Sequence, residues 1–156
     1  MSITVATTKL MVEHLQSIFS DAHCRRSYSP VLAPEELEEI GKTVLCVLPV
    51  EREAEHYTQG GMQKVSLEID ICINAKLNHH HDEQEEFLAD IDALIAFAEK
   101  VHSIFLKKIV KNVDGMKVTF DQPEHVMLCD YDISEERNCF LSVVRVSALV
   151  FAQPEV

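Results

Sequence analysis

The sequence predicts an α+β fold: a mostly antiparallel sheet of about four to five strands, two main helices packed on one face, and a long β-hairpin arm. The first observation is the stretch 65–77, V-S-L-E-I-D-I-C-I-N-A-K-L, whose apolar and polar residues alternate as in a strand with one buried face. The second is the segment 83–108, whose apolar residues recur at the helical period. The third is the order of elements, in which strands follow one another without regular helical crossovers.

A helix, a connection and a hairpin are predicted in the first half of the chain. In chain order the elements are a helix over 7–20, a surface connection over 21–34, a short helix over 34–41 and a buried strand over 43–50. Pro49 is expected to close this strand, because proline cannot donate to a sheet ladder. Gly60 and Gly61 form a turn signal. Residues 43–77 are therefore predicted to form an antiparallel hairpin with a charged tip at 51–61.

The second half of the chain is predicted to cover and complete this sheet. Its elements are a loop over 78–82, a helix over 83–108, short strands over 116–120 and 126–131, a polar reversal over 132–138 and a final strand over 140–151. The long helix spans about 40 Å. The alternating strand 65–77 spans about 43 Å. We therefore expect the helix to lie along the apolar face of that strand.

Composition sets limits on the class of protein. The chain has 156 residues, of which 47% are hydrophobic, and this size fits a single domain over 1–156. Its formal net charge of −12 argues against specific binding to nucleic acid, which needs clustered lysine and arginine. No apolar run approaches the roughly 20 residues that span a bilayer, so no membrane association is expected. The N-terminus lacks the pattern of a secretory signal, and the five cysteines are expected to be reduced thiols.

No catalytic residue and no cofactor is predicted, and the chain is not expected to be an enzyme. The sequence contains no phosphate-binding glycine loop, no G-x-S-x-G motif and no C-x-x-C motif. The candidate metal ligands are His79, His81 and Asp82, because imidazole and carboxylate groups bind divalent cations. Alternatively, the same segment is a polar loop in which Asp82 caps the long helix.

The charged hairpin tip has two interpretations. It is either an exposed loop or an arm that contacts a neighbouring subunit, because a two-stranded ribbon that projects alone is only marginally stable. The length of the strand 65–77 favours the arm. The candidate subunit-contact residues are Glu51, Arg52, Glu53, His56 and Tyr57.

The order of these elements resembles the tail-completion proteins of tailed phages and prophages, which include the tail terminator, neck and minor tail proteins. The resemblance covers most of the chain and is an order of elements more than a fingerprint. It is carried by Y-S-P at 28–30, the acidic segment 35–40, the strand and turn residues 44–52 and 60–61, the strand 65–73 and the helix 86–101.

This resemblance implies a structural virion protein assembled in the bacterial host cytoplasm. In this family the subunits commonly form a hexameric ring that caps the tail tube and mediates head–tail attachment. The implied partners are further copies of the chain, the tail tube and the head connector, with DNA passing through the lumen. Two alternatives stay open: a small cytosolic metal-binding protein or enzyme that uses residues 79–82, and an oligomeric binding module.

Overall fold

The computed structural model describes residues 2–56 and 61–153, and within them the chain forms four helices around one six-stranded sheet. The helices are α1 (Ile3–Ile18), α2 (Pro34–Ile40), α3 (Gln84–Ser103) and α4 (Tyr131–Arg137). The strands are β1 (His23–Arg26), β2 (Val44–His56), β3 (Gln63–Lys76), β4 (Ile109–Val113), β5 (Met116–Met127) and β6 (Cys139–Ala152). Their order in the sheet is β1-β2-β3-β6-β5-β4. None of the described helices combines the length and apolar character needed to cross a membrane.

The predicted α+β class is confirmed, but the sheet has six strands where four to five were expected. β1 and β4, the outermost strands, are additional, and the two short strands predicted over 116–120 and 126–131 form one strand, β5. β1 pairs in parallel with the start of β2, so the sheet is mixed. The N-terminal end of β1 is held in place by Gln16 of α1. The side chain of Gln16 accepts a hydrogen bond from the Cys24 N–H at 3.0 Å and donates one to the Ala22 carbonyl at 2.9 Å. This contact comes from tertiary structure, and the segment 21–34 carries no periodicity that would reveal it.

The strand β4 was missed because α3 ends five residues earlier than predicted. Phe105 and Ile109 fall on the helical period, but the helix stops at Ser103. Phe105 is fully buried beyond the helix end and meets the ring of Phe120 edge-to-face at 6.5 Å. Ile109 then begins a strand that pairs with β5. The polar reversal after β5 contains the short helix α4, whose N-cap Asp130 accepts from the Ile133 N–H.

The central strand β3 is paired along its whole length on one side and nearly so on the other. β6 runs antiparallel to it from Gln63 opposite Ala152 to Lys76 opposite Cys139. β2 runs antiparallel on its other side. The predicted hairpin of β2 and β3 is therefore present, but it is not a free two-stranded arm. The length of β3, which suggested an arm, lets it pair with both β2 and β6. A hairpin that pairs with a third strand is stable without a partner subunit.

Two hydrophobic clusters cover opposite faces of the sheet. On the first face, as expected, lie both α1 and α3, and together they bury alternate residues of the central strand. The long helix α3 lies over β6 and β5 and not, as predicted, along the strand 65–77, whereas α1 lies mainly over β1 and β2. The main cluster includes Met11, Leu15, Ile69, Ile71, Ile73, Phe87, Ile91, Val101, Val144 and Val146. On the second face, α2, the segment before it and α4 cover one end of the strands. This smaller cluster includes Leu32, Leu37, Val44, Cys46, Cys72, Cys139 and Leu141.

The cysteines are free thiols, in agreement with the expectation from the sequence. Cys46 and Cys72 face each other across β2 and β3 in the smaller cluster, and both are buried. Burial raises the pKa of Cys72 to about 12. These side chains therefore act as small apolar core residues, since the thiolate is the reactive form of cysteine.

One buried amide fastens the segment before α2 to the sheet. Asn74 of β3 is 2% exposed. Its side-chain oxygen accepts from the Leu32 N–H at 3.1 Å, and its amide nitrogen donates to the Pro30 carbonyl at 2.9 Å. The backbone of this segment crosses the sheet surface and has few other partners for these groups. Asn74 therefore satisfies polar groups that would otherwise be buried without a hydrogen bond.

We predict that Asn74→Ala lowers the free energy of unfolding by about 2–3 kcal/mol, because it leaves the Leu32 N–H and the Pro30 carbonyl without this partner and removes packed atoms. Urea denaturation of the variant and the native chain measures the change. Asn78→Ala is the matched control, since Asn78 is exposed, and it should change stability by less than about 0.5 kcal/mol. Equal effects of the two substitutions would contradict this role of Asn74.

A histidine lies at the margin of the main cluster without a polar partner. His14 of α1 contacts the ring of Phe105, with centroids 6.2 Å apart. Both of its ring nitrogens are buried and have no hydrogen-bond partner among the described residues. Burial and the nearby charge of Lys111 lower the pKa of His14 from its ordinary value of 6.5. The folded protein therefore favours the neutral imidazole.

We predict that His14 makes the fold less stable in mild acid. Because the pKa of His14 is lower in the folded protein than in the unfolded chain, the unfolded chain binds the proton first. The free energy of unfolding is therefore highest above pH 6.5 and decreases as the pH falls below that value. His14→Leu should shrink the difference in free energy of unfolding between pH 7.5 and pH 5.5, and should stabilise the protein at pH 7.5 by up to about 1 kcal/mol. Urea midpoints at the two pH values measure this. The same pH dependence in both proteins would contradict the prediction.

Candidate functional site: two sheet edges, an open face and a histidine turn

The outer edge of β2 is unpaired over most of its length. β1 covers β2 from Val44 to Val47, and the Ser27 N–H donates to the Val47 carbonyl at 3.0 Å. Beyond that point, no other strand of the described residues pairs with this side of β2. Residues 48–56 therefore form the outer edge of the sheet at this end of β2. We call this stretch the acidic edge, since it carries Glu51, Glu53 and Glu55.

A bulge lets β2 continue past the proline that was predicted to end it. The pairing register between β2 and β3 shifts between Pro49 and Glu51. Proline is tolerated at an edge strand because its missing N–H removes no ladder bond there, and a bulge absorbs the mismatch. The prediction that the strand stops at Val50 is therefore wrong, and the charged residues that follow belong to the sheet.

The opposite edge of the sheet carries positive charge. β4 is the outermost strand on that side, and its outer edge is also unpaired by any described strand. Lys107 and Lys108 immediately precede β4, and Lys111 lies within it. We call 107–113 the basic edge. Asp114, in the turn after it, is the nearest acidic residue in the sequence.

The uncovered end of the second face forms a groove between the two edges. α2 and α4 cover only the other end of this face, so alternate residues of five strands remain open to solvent. The cavity has a volume of about 890 Å³. Glu51 and Glu53 line it on one side and Lys108 and Lys117 on the other, with Ser66, Thr119, Ser147, Leu149 and Phe151 between them.

An ion pair separates this groove from the smaller cluster. Asp70 of β3 and Arg145 of β6 are directly opposite in the register. The guanidinium donates to both carboxylate oxygens, from Nε at 2.7 Å and from a terminal nitrogen at 3.1 Å. Glu68 lies 3.9 Å from the same guanidinium. The hydrogen bond and charge of Asp70 raise the pKa of Arg145, so the guanidinium stays ionised. Such a bidentate pair fixes both side chains in one geometry.

The turn between β3 and α3 brings two of its three histidines together with one acid. His80 Nδ1 lies 3.1 Å from Asp82 Oδ2, and His81 Nε2 lies 3.4 Å from Asp82 Oδ1. His79 is not part of this cluster, because its Nδ1 lies 3.0 Å from Asp90 Oδ2. Of the predicted candidates, His81 and Asp82 therefore meet, His79 points away, and His80 takes its place.

The prediction that Asp82 caps the long helix is wrong. The residue at the N-cap of α3 is Glu83, and no side chain caps that end by a hydrogen bond. Asp82 instead turns toward the imidazoles of the preceding residues. Aspartate is a common N-cap residue, but Asp82 lies one residue before the N-cap position of α3.

The predicted subunit-contact residues are partly within the described structure. Glu51, Arg52 and Glu53 are exposed on β2. The backbone of His56 ends that strand, and Tyr57 lies outside the described residues. Sequence reasoning missed the basic edge, because its lysines were assigned to the end of the long helix. It also missed the pairing of Asp70 with Arg145, because Asp70 is one of several polar residues that alternate along β3.

Comparison of the chain with models of known protein families and with curated proteins gave no match.

We predict that Arg145→Met lowers the free energy of unfolding by about 1–2 kcal/mol, because it leaves the carboxylate of Asp70 without its bidentate partner. The Asp70 side chain is only 12% exposed, while that of Arg145 is 27% exposed, so solvent screens the pair in part. The double variant Asp70→Asn/Arg145→Met should be less destabilised than the sum of the single variants. Urea denaturation of all four proteins measures the coupling, and strict additivity would contradict it.

Proposed function

We propose that this protein is a self-associating structural subunit, a tail terminator or head–tail joining protein of a phage or prophage particle. In this role it forms a homo-oligomeric ring, a hexamer by analogy with the family it resembles, and recognises its partners without catalysing a reaction. The proposal is carried by one observation: the two unpaired edges of the same sheet have opposite charge.

The charges of the two edges favour contact between copies of the chain. The acidic edge carries Glu51, Glu53 and Glu55 against one arginine, whereas the basic edge carries three lysines. In a chain with a formal net charge of −12, three lysines within five residues are a marked local exception. When the basic edge of one copy meets the acidic edge of the next, backbone groups gain ladder hydrogen bonds and the charges attract.

An interface between two different edges is head-to-tail. Such heterologous interfaces generate closed rings when the rotation between neighbours closes, and filaments when it does not. Ring closure also gives the outer stretch of β2 in every subunit a neighbouring strand, β4 of the next copy. This geometry agrees with the ring that the family resemblance implies. It does not require the hairpin to project as an arm.

The remaining partners follow from the resemblance and the charge. In the proposed ring, one face contacts the tail tube and the other contacts the head connector. The acidic composition suits a lumen through which DNA slides without specific binding, because like charges repel. The site of action is the virion, with assembly in the bacterial host cytoplasm.

We predict that reversing the charge of either edge weakens self-association. Glu51/Glu53/Glu55→Lys, or Lys107/Lys108/Lys111→Glu, should raise the dissociation constant at least about tenfold, because like charges then face each other. Combining both reversals in one chain restores opposite charges and should recover association. Sedimentation velocity across a concentration series at low salt measures the constants. Raising the salt concentration should weaken the native assembly.

The control for these reversals changes the net charge equally at another surface. Glu39, Glu135 and Glu136 are exposed on α2 and α4, and Glu39/Glu135/Glu136→Lys adds the same positive charge as the acidic-edge variant. It should leave association unchanged within about twofold. A native chain that stays monomeric at every concentration, or a control that acts as strongly as the edge variants, would contradict the edge interface.

The particle assignment has its own test. Negative-stain images of the associated protein should show closed rings of uniform diameter, and mass spectrometry of purified tailed particles from a strain that carries the gene should detect the chain. Open filaments would contradict ring closure. Absence of the chain from such particles would contradict the virion role, even if the edges associate as expected.

A further inference from the structure

The turn between β3 and α3 holds three potential metal ligands that point to one place. The donor atoms of His80, His81 and Asp82 all lie within 4.8 Å of one another. The two imidazole-to-carboxylate distances, 3.1 and 3.4 Å, match the spacing of neighbouring ligands around a tetrahedral ion, whose bonds are about 2.0–2.2 Å long. We infer that this turn binds a borderline divalent cation of the Zn²⁺ class through two imidazoles and one carboxylate.

The turn is built so that these ligands are held in place. Asp90 of α3 accepts from the backbone N–H of Asn78 at 3.1 Å and from that of His79 at 3.0 Å, and neither bond involves the His79 side chain. These bonds tie the start of the turn to the helix. The Glu83 N–H donates to the His80 carbonyl at 2.9 Å and closes the other end. The ligand residues therefore lie on a segment that is fixed on both sides.

The neighbours of the cluster favour a cation. The His81 ring meets Phe87 edge-on, with centroids 6.4 Å apart, and this contact limits its rotation. The centroids of the His80 and His81 rings lie 4.1 Å apart, and one nitrogen of each ring lies within 4.8 Å of the other and of a carboxylate oxygen of Asp82. Glu83, Glu85 and Glu86 follow in the sequence and add negative charge nearby. All three ligands are exposed, which leaves a fourth position for water or for a group of another molecule.

The chemistry of the ligands decides the class of metal. Two imidazoles and one carboxylate suit Zn²⁺, Ni²⁺ or Cu²⁺, whereas Mg²⁺ and Ca²⁺ prefer sites made of oxygen ligands. The site does not depend on the proposed ring, because it lies at the other end of the β2–β3 pair from the acidic edge.

Isothermal titration of the untagged full chain with ZnCl₂ tests the inference. The native protein should bind one Zn²⁺ per chain, and His80→Ala, His81→Ala and Asp82→Asn should each weaken binding at least about tenfold. MgCl₂ under the same conditions should give no binding. Circular dichroism of each variant confirms that it folds, and loss of folding on Asp82→Asn is not expected because the residue is exposed.

His79→Ala is the matched control. It removes an imidazole from the same run of three histidines, but one that the structure assigns to Asp90. It should change Zn²⁺ affinity by less than about threefold. The inference is overturned if the native chain binds no Zn²⁺ at 100-fold excess, if Asp82→Asn has no effect, or if His79→Ala weakens binding as much as His80→Ala.

Discussion

The structure depends on the continuous pairing of β3 with β6. These two strands run antiparallel over fourteen residues each, and every other part of the sheet is added to one side or the other of this pair. Their alternating side chains also define both hydrophobic clusters. Because the side-chain period of a strand is two, a slip of one residue would move Ile69 and Val146 to the open face and bring Asp70 and Arg145 under the helices.

The Asp70–Arg145 pair helps to fix that register. It marks the point on the second face at which apolar packing ends and the open groove begins. A bidentate pair between directly opposite residues is satisfied in only one alignment of the strands, so shifted alignments lose it. Asn74 acts in the same way a short distance along β3, because its side chain matches the backbone of one particular segment.

Much of the main core was predictable from periodicity, and much of the rest was not. The alternation of 65–77 identified β3, and the period of Phe87, Ile91 and Val101 identified α3. Both signals arise from burial of one face, which the sequence records directly. β1 depends on an amide contact from Gln16, and β4 depends on the helix ending before Phe105. These are tertiary effects on short segments whose own pattern is ambiguous, which is why they were missed.

The candidate functional sites were likewise predictable from the sequence only in part. Sequence composition pointed to the histidine turn and to the charged end of the hairpin, but it did not show which imidazoles meet or that the hairpin is backed by β6. The choice between His79 and His80 is made by Asp90, which lies a full turn or more into α3 and holds His79 aside. Such a choice is a matter of three-dimensional distance, and adjacent identical residues carry no information about it.

The two free edges raise a further question of how the protein avoids indiscriminate pairing. The acidic edge combines a proline, a bulge and several charges, which are features that natural proteins use to protect exposed strands. Two acidic edges repel each other, and so do two basic edges. Contact between unlike edges is the one arrangement in which the charges attract. In the proposed ring, the features that discourage aggregation also select a single mode of association, in which every copy uses both of its edges.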